Sequence, residues 1–133
     1  MDSVAIVTGG SRGIGRATSL AAAKRGYKVV VGYASNKAAA DDVVRLIEAS
    51  NGKAIAVKCD VGVEADILNL FKQADAFGKL GVLVNNAGIF KSADFLEVTE
   101  TDFDAVLRVN LKGAFLVAQA VARHMAASGG GSI

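Results

Sequence analysis

The stretch TGGSRGIGRA, residues 8–17, lies between an apolar run and a helical pattern. VAIV (4–7) before it reads as a short buried strand. IGRATSLAAAKRGY (14–27) after it spaces Ile14, Ala17, Leu20, Ala21 and Ala22 at helical intervals. Gly9, Gly10, Gly13 and Gly15 therefore occupy a strand-to-helix turn. A helix N-terminus there offers free N–H groups and the positive end of a dipole, which together attract an anion. Glycines carry no Cβ, so the backbone can approach a pyrophosphate closely. A glycine-rich turn without a ligand has the same composition, but the strand before it and the helix after it favour the nucleotide reading. The spacing is T-G-x-x-x-G-x-G, through Thr8, Gly9, Gly13 and Gly15, and not G-x-G-x-x-G. Ser11, inside the turn, reads as a phosphate contact and not as a nucleophile.

Outward from that turn the same alternation repeats. KVVVGY (28–33) is a second buried strand, and Gly26 before it stands where the first helix should be capped. NKAAADDVVRLIEASNG (36–52) is a helix with Ser35 or Asn36 as N-cap and Asn51-Gly52 as its stop. KAIAVKCDV (53–61) and VLVNNAG (82–88) read as strands three and four, with a helix over EADILNLFKQADAFG (64–78) between them. A loop around IFKSADFLEV (89–98) leads to the longest helix. It starts near Thr99, with Asp102 three residues on in a near-capping-box position, and runs through Met125 before AASGGG ends it. Strands separated by helices need right-handed crossovers and build a parallel sheet. The expected fold is α/β, a Rossmann-type doubly wound sheet forming one dinucleotide-binding domain over residues 1–133.

Composition narrows the class. The 133 residues are 52% hydrophobic but only 6% aromatic, with no Pro or Trp, which suits helices packed on a parallel sheet. A net charge of +2 is too small and too scattered for a nucleic-acid surface. One Cys excludes an internal disulfide and fits a reducing compartment. MDSVAIVTGG has an acid and no basic n-region, so it does not read as a signal peptide. No stretch reads as the roughly 18–20 apolar residues a membrane span needs. The expectation is a cytoplasmic protein without a membrane or nucleic-acid partner and without a metal site.

Four stretches together carry a family likeness: the T-G-x-x-x-G-x-G turn, CDV at 59–61, NNAG at 85–88 and RVNLKG at 108–113. In these motifs and their order the whole chain resembles the short-chain dehydrogenase/reductase family. It looks closest to the ketoacyl-carrier-protein-reductase-like and glucose-dehydrogenase-like members. The resemblance implies reversible ketone/alcohol interconversion by hydride transfer with a nicotinamide cofactor, acting on a small carbonyl or alcohol substrate. It implies cofactor contacts from Thr8, Gly9, Ser11, Arg12, Gly13, Ile14 and Gly15 in the turn, and from Ser35 after strand two. Further contacts are implied from Asp60 and Val61 on the adenine side, and from Asn86, Ala87 and Gly88 after strand four. Asn110 matches the family's catalytic Asn, which kinks the long helix and holds a water through its backbone carbonyl. A helix Asn satisfying its own polar neighbours is the plainer reading of that residue.

The choice of cofactor turns on strand two. Folds that prefer NAD place an acid near its end, about 20 residues past the glycines, for the ribose hydroxyls. Here that region reads GYASNKAAA, and its first acid, Asp41, falls inside the helix. No carboxylate is positioned to repel a 2′-phosphate. NADP-preferring members of the family often carry a base where Arg12 stands. Ser35 and Asn36 can donate hydrogen bonds, and Lys37 is near. NADP(H) is the expected cofactor. Arg12 as a solvated loop cation is the alternative.

The family's remaining chemistry comes from a Ser on strand five and a Tyr-x-x-x-Lys on the next helix, where i and i+4 share a face. YASNK (33–37) has that spacing but lies at a strand end on the adenosine side, so it does not serve. GGGSI (129–133) reads as the approach to strand five, so the sheet is expected to be truncated before or at that strand, with Asn110 alone representing the catalytic group. The leading reading is thus the cofactor-binding half of an NADP-dependent oxidoreductase. A nucleotide-binding module without catalysis, a sensor or inactive subunit, is the alternative. His124 reads as a surface residue near a helix C-terminus and Cys59 as a small buried one. Strand four, VLVNN, is expected to leave an open outer edge. The helix 100–127, by resemblance, should pack in a dimeric or tetrameric interface.

Overall fold

A computed structural model describes residues 2–133. Four parallel strands, β1 (Ser3–Val7), β2 (Lys28–Tyr33), β3 (Ala54–Lys58) and β4 (Lys79–Val84), lie in the order β3-β2-β1-β4. Val4–Val7 pair in step with Lys28–Val31 on one side. On the other side β1 pairs with β4, with a register shift between Val4 and Ala5.

The central strands β1 and β2 are buried on both faces, which explains their uninterrupted apolar runs, while β3 and β4 keep half-buried positions. Alternation still sorts the side chains. Val7, Val29, Val31 and Tyr33 face α1 (Gly13–Lys24) and α2 (Lys37–Ala49), together with Ala40, Val43 and Ile47. Val4, Ile6, Val30, Leu80 and Leu83 face the other layer, α3 (Glu64–Phe77) and α5 (Ala114–Ser128), and meet Ile67, Leu70, Val117, Val121 and Met125 there. Fully burying one such Ile, Leu or Val contributes roughly 1.5–3 kcal/mol.

The helix ends follow local chemistry. Asn36, one of the two residues that fit the N-cap, is the cap of α2, and its Oδ1 accepts from the Ala39 amide at 3.0 Å. Thr99 caps α4 (Glu100–Leu107) by accepting from the Asp102 amide at 3.1 Å. Gly129, at φ 100°, closes α5 in the left-handed region.

The structure departs from the sequence reading in several places, first at β3, which spans Ala54–Lys58 and leaves Cys59, Asp60 and Val61 in the loop after it. β4 begins at Lys79, three residues before VLVNN, and ends at Val84, leaving Asn85 and Asn86 in the loop. The long helix is not continuous: a π-helical turn, Arg108–Gly113, separates α4 from α5. The outer edge of β4 is not fully open, because Ser132 pairs with Val82 in parallel. The Leu83 amide donates to the Ser132 carbonyl at 2.9 Å, and the Ser132 amide to the Gly81 carbonyl at 3.0 Å. Finally, the span Glu100–Ser128 is long and apolar enough, by length and composition alone, to cross a membrane. One stripe of it, Val109, Val117, Val121 and Met125, is instead packed in the core beneath the sheet.

Candidate functional site

β1 lies between β2 and β4, so the chain leaves β1 for α1 on one face and reaches β4 from the other. Between the diverging loops, at the carboxyl ends of the strands, is a cavity of about 320 Å³. Of the residues expected to bind a cofactor, it is lined by Gly9, Ser11, Arg12, Ser35, Asp60, Val61, Asn86, Ala87 and Gly88. Thr8, Gly13, Ile14 and Gly15 are not among its lining residues. Four separate loops thus converge on one space.

Thr8 and Asn86 brace its floor. The buried Thr8 Oγ1 accepts from the amides of Asn86 and Ala87, both at 3.0 Å. Asn86 Nδ2 in turn donates to the carbonyls of Thr8 at 3.0 Å and Gly9 at 3.1 Å. Both side chains therefore hold the first loop to the fourth. Gly9 adopts φ 60°, and a Cβ there would come within 3.0 Å of Ala87 Cα. A Cβ on Gly15 would run into the Gly9 carbonyl. Ser19, which the sequence reading passed over, is fully buried beneath the turn, and its hydroxyl donates to the Gly15 carbonyl at 2.9 Å, with Gly10 O at 3.2 Å.

The start of α1 differs from the other helix starts that bound the site. Arg12, its N-cap, makes no capping hydrogen bond through its side chain, and the first turn holds no acid. α2 has its Asn36 cap, and α3 has Glu64 and Asp66 in its first turn. The amides at the head of α1 therefore lack a protein counter-charge, among the described residues, in a turn packed too closely at Gly9 and Gly15 to admit a Cβ. These features fit a pyrophosphate group.

At the β2 end, the charges sort themselves. Lys37 Nζ is bound to Asp41 at 2.6 Å, so it is not the open cation its sequence position suggested. Asp41 and Tyr33 raise the Lys37 pKa, the hydrogen bond to Asp41 most. Arg16 and Arg45 both hold Asp42, at 2.9 and 2.6 Å, and keep its carboxyl below the usual range, Arg45 contributing most. Arg12 has no acidic partner among the described residues and lines the cavity. Tyr33 is the buried last residue of β2 and Lys37 the first of α2, so YASNK has no shared helical face.

Asn110 stands in the π-turn. Its Oδ1 accepts from the Ile89 amide at 2.7 Å and its Nδ2 donates to the Ile89 carbonyl at 2.8 Å. Its side chain therefore holds the loop that follows NNAG, one residue past Gly88. Asn85 fixes the same loop to α5 by donating to the Ala114 carbonyl at 2.7 Å. Cys59 borders the cavity with its thiol pushed up to about 12, chiefly by burial and then by Asp66 and Asp60. His124 is half-buried and not a free surface residue: it meets Asp75 at 3.4 Å and the Phe71 ring edge-on at 4.8 Å, away from the cavity. Arg108, Val109 and Ile89 line the cavity but were not singled out from the sequence. Arg108 was within a quoted motif, yet a helix pattern gives no sign of which loop its side chain reaches.

Comparison with known proteins agrees with this architecture. Residues 3–133 match the family described as short chain dehydrogenase. An uncharacterized oxidoreductase of Methylorubrum extorquens is 48% identical over 95% of this chain and 51% of its own length. A 3-oxoacyl-[acyl-carrier-protein] reductase of Synechocystis is 48% identical over 92% of this chain and 50% of its own. A short chain dehydrogenase from Burkholderia cenocepacia, solved in complex with NADP, superposes with a TM-score of 0.86 at 42% identity, covering 90% of this chain and 49% of that one. The chain spans about half the length of the curated relatives it matches. With nearly its full length matched and the four-stranded parallel sheet in common, the chain belongs to the short chain dehydrogenase family.

Proposed function

We propose that residues 1–133 form the dinucleotide-binding portion of an NADP(H)-dependent oxidoreductase that interconverts a ketone and a secondary alcohol. The carrying observation is the uncapped, acid-free start of α1 opening on the same cavity as Arg12, which has no acidic partner among the described residues. The amides after Arg12 would hold the pyrophosphate. Arg12 and Ser35 would take the 2′-phosphate, with Lys37 and Arg16 already engaged by acids. Asp60 and Val61 would border the adenine, and Asn86, Ala87 and Gly88 the nicotinamide half. The cofactor supplies the hydride. This chain's part is to orient it, and Asn110 does so indirectly by fixing the Ile89 backbone beside Gly88. The NADP complex of the Burkholderia relative and the ketone-reducing name of the Synechocystis relative support the reading.

Assembly as a homo-oligomer through the long helix belongs to the same proposal. Phe103, Leu107, Leu111 and Phe115 are exposed at four-residue intervals along α4, the π-turn and α5, an apolar row of the kind an interface covers. The test of the central claim is a fluorescence titration of the protein with NADPH and NADH. Saturable binding, tighter for NADPH, is expected. Absence of binding to both, by a folded sample, overturns the proposal.

A further inference from the structure

The π-turn touches the opposite end of the cavity as well. Arg108, its first residue, reaches across to the loop after β3, where a guanidinium nitrogen lies 3.5 Å from Asp60 Oδ1. It rests on Gly62: a Cβ there would collide with the Arg108 guanidinium, coming within 2.6 Å of Cζ. Gly113, the last residue of the turn, is pressed on the same loop, and a Cβ on it would meet the Val61 carbonyl at 2.8 Å.

Asp60 is held on every side but one. Its amide donates to Asp66 Oδ2 at 2.9 Å. Its Oδ1 accepts from the Gly62 amide at 2.8 Å and faces Arg108. Its Oδ2 has no partner among the described residues, and the residue lines the cavity. A carboxylate fixed by one oxygen with the other left over is arranged to accept a hydrogen bond from a bound group.

We propose that Arg108 is a positioning residue of the dinucleotide site: seated on Gly62, it fixes Asp60 so that Oδ2 is presented to the adenosine half of the cofactor. The inference rests on the NADP(H) reading above. It assigns the π-turn two tasks from one element. Asn110 holds the loop after β4, and Arg108 holds the loop after β3.

A double-mutant cycle separates positioning from direct contact. NADPH affinity is measured for the wild type, Arg108→Met, Asp60→Asn, the Arg108→Met/Asp60→Asn pair and Gly62→Ala. Gly62 is outside the left-handed region, so alanine there displaces the flexible guanidinium without straining the backbone. Each single variant is expected to weaken binding about tenfold, and the double variant no more than Asp60→Asn alone. Nicotinamide mononucleotide, which lacks adenosine, should bind wild type and Gly62→Ala alike. Additive losses in the double variant would mean that Arg108 contacts the cofactor itself, and they overturn the proposal. So does unchanged NADPH affinity in Gly62→Ala with a normal unfolding curve. If the wild type binds no NADPH, the parent reading fails first and this one with it.

Discussion

Thr8 Oγ1 accepts two amide hydrogen bonds across the sheet, from Asn86 and Ala87, at 3.0 Å each. The residues are 78 and 79 positions apart in sequence. One hydroxyl thus fixes the separation of the two loops that bound the cavity.

Thr8→Val keeps the shape and removes the acceptor. The Ala87 amide loses its partner, while the Asn86 amide keeps the Val84 carbonyl at 3.0 Å, and an unsatisfied buried group costs about 1–3 kcal/mol. Denaturant unfolding should show a loss of that order, with NADPH binding weakened in parallel. Thr8→Ser should restore most of both. A valine variant as stable as wild type would show that water replaces the hydroxyl.

Arg12→Ala tests the cofactor preference. If Arg12 holds the 2′-phosphate, the substitution should weaken NADPH binding at least tenfold, a charge-assisted contact being worth about 1.5–3 kcal/mol, and leave NADH affinity nearly unchanged. Equal affinities for the two nucleotides in the wild type, unaltered by the substitution, would return Arg12 to the role of a solvated cation.

Cys59 gives a pH signature. Its thiol moves from an ordinary 9.0 to about 12 in the folded chain. A pKa raised on folding leaves stability intact below the unfolded value and removes it above, as the unfolded chain alone releases its proton. Stability should therefore fall as pH rises from 9 toward 12, and less so in Cys59→Ala. At pH 8 a thiol reagent should label the unfolded chain and spare the native one. Rapid labelling of the native protein would contradict the burial.

Phe115→Glu, on the exposed face of α5, addresses assembly. Light scattering should report an oligomer for the wild type and a smaller species for the variant, with the unfolding midpoint little changed at low concentration. A wild-type monomer would remove the long helix as an interface.

A polypeptide of residues 1–133 should bind NADPH without consuming it in the presence of ketones. Tyr33 and Lys37 cannot act together from a strand end and a helix start, and a positioned general acid is worth about 10²–10⁴-fold. Turnover at ordinary enzyme rates would overturn this and point to an acid among the cavity residues.

Much of this was readable in the sequence where burial is two-sided and local. KVVVGY coincides with β2, because an apolar run flanked by Lys28 and the turn after Tyr33 admits one strand placement. The glycine turn was equally legible, since Gly9 needs both its φ and its closeness to Ala87. The π-turn was not recognised as such. Its trace is that Val109, Gly113, Val117, Val121 and Met125 are buried at strict four-residue spacing. An α-helix would rotate such a stripe by about 40° per step, and the wider turn absorbs part of that drift. The Arg108–Asp60 contact, joining residues 48 positions apart, has no local signal at all.

The placement of β1 also sets an order of events in folding. Its neighbour β2 is close in sequence, but its other partner pairs Ser3 with Lys79 and Val7 with Val84. Closing so long a loop is slow, and it delays the non-local pairing. As the chain emerges from the ribosome, β1 and β2 can zip together early, while the far edge of Val4–Val7 waits for more than seventy further residues. A translational pause before Val84 would leave that apolar edge open to other nascent chains, and a binding chaperone would find its target there.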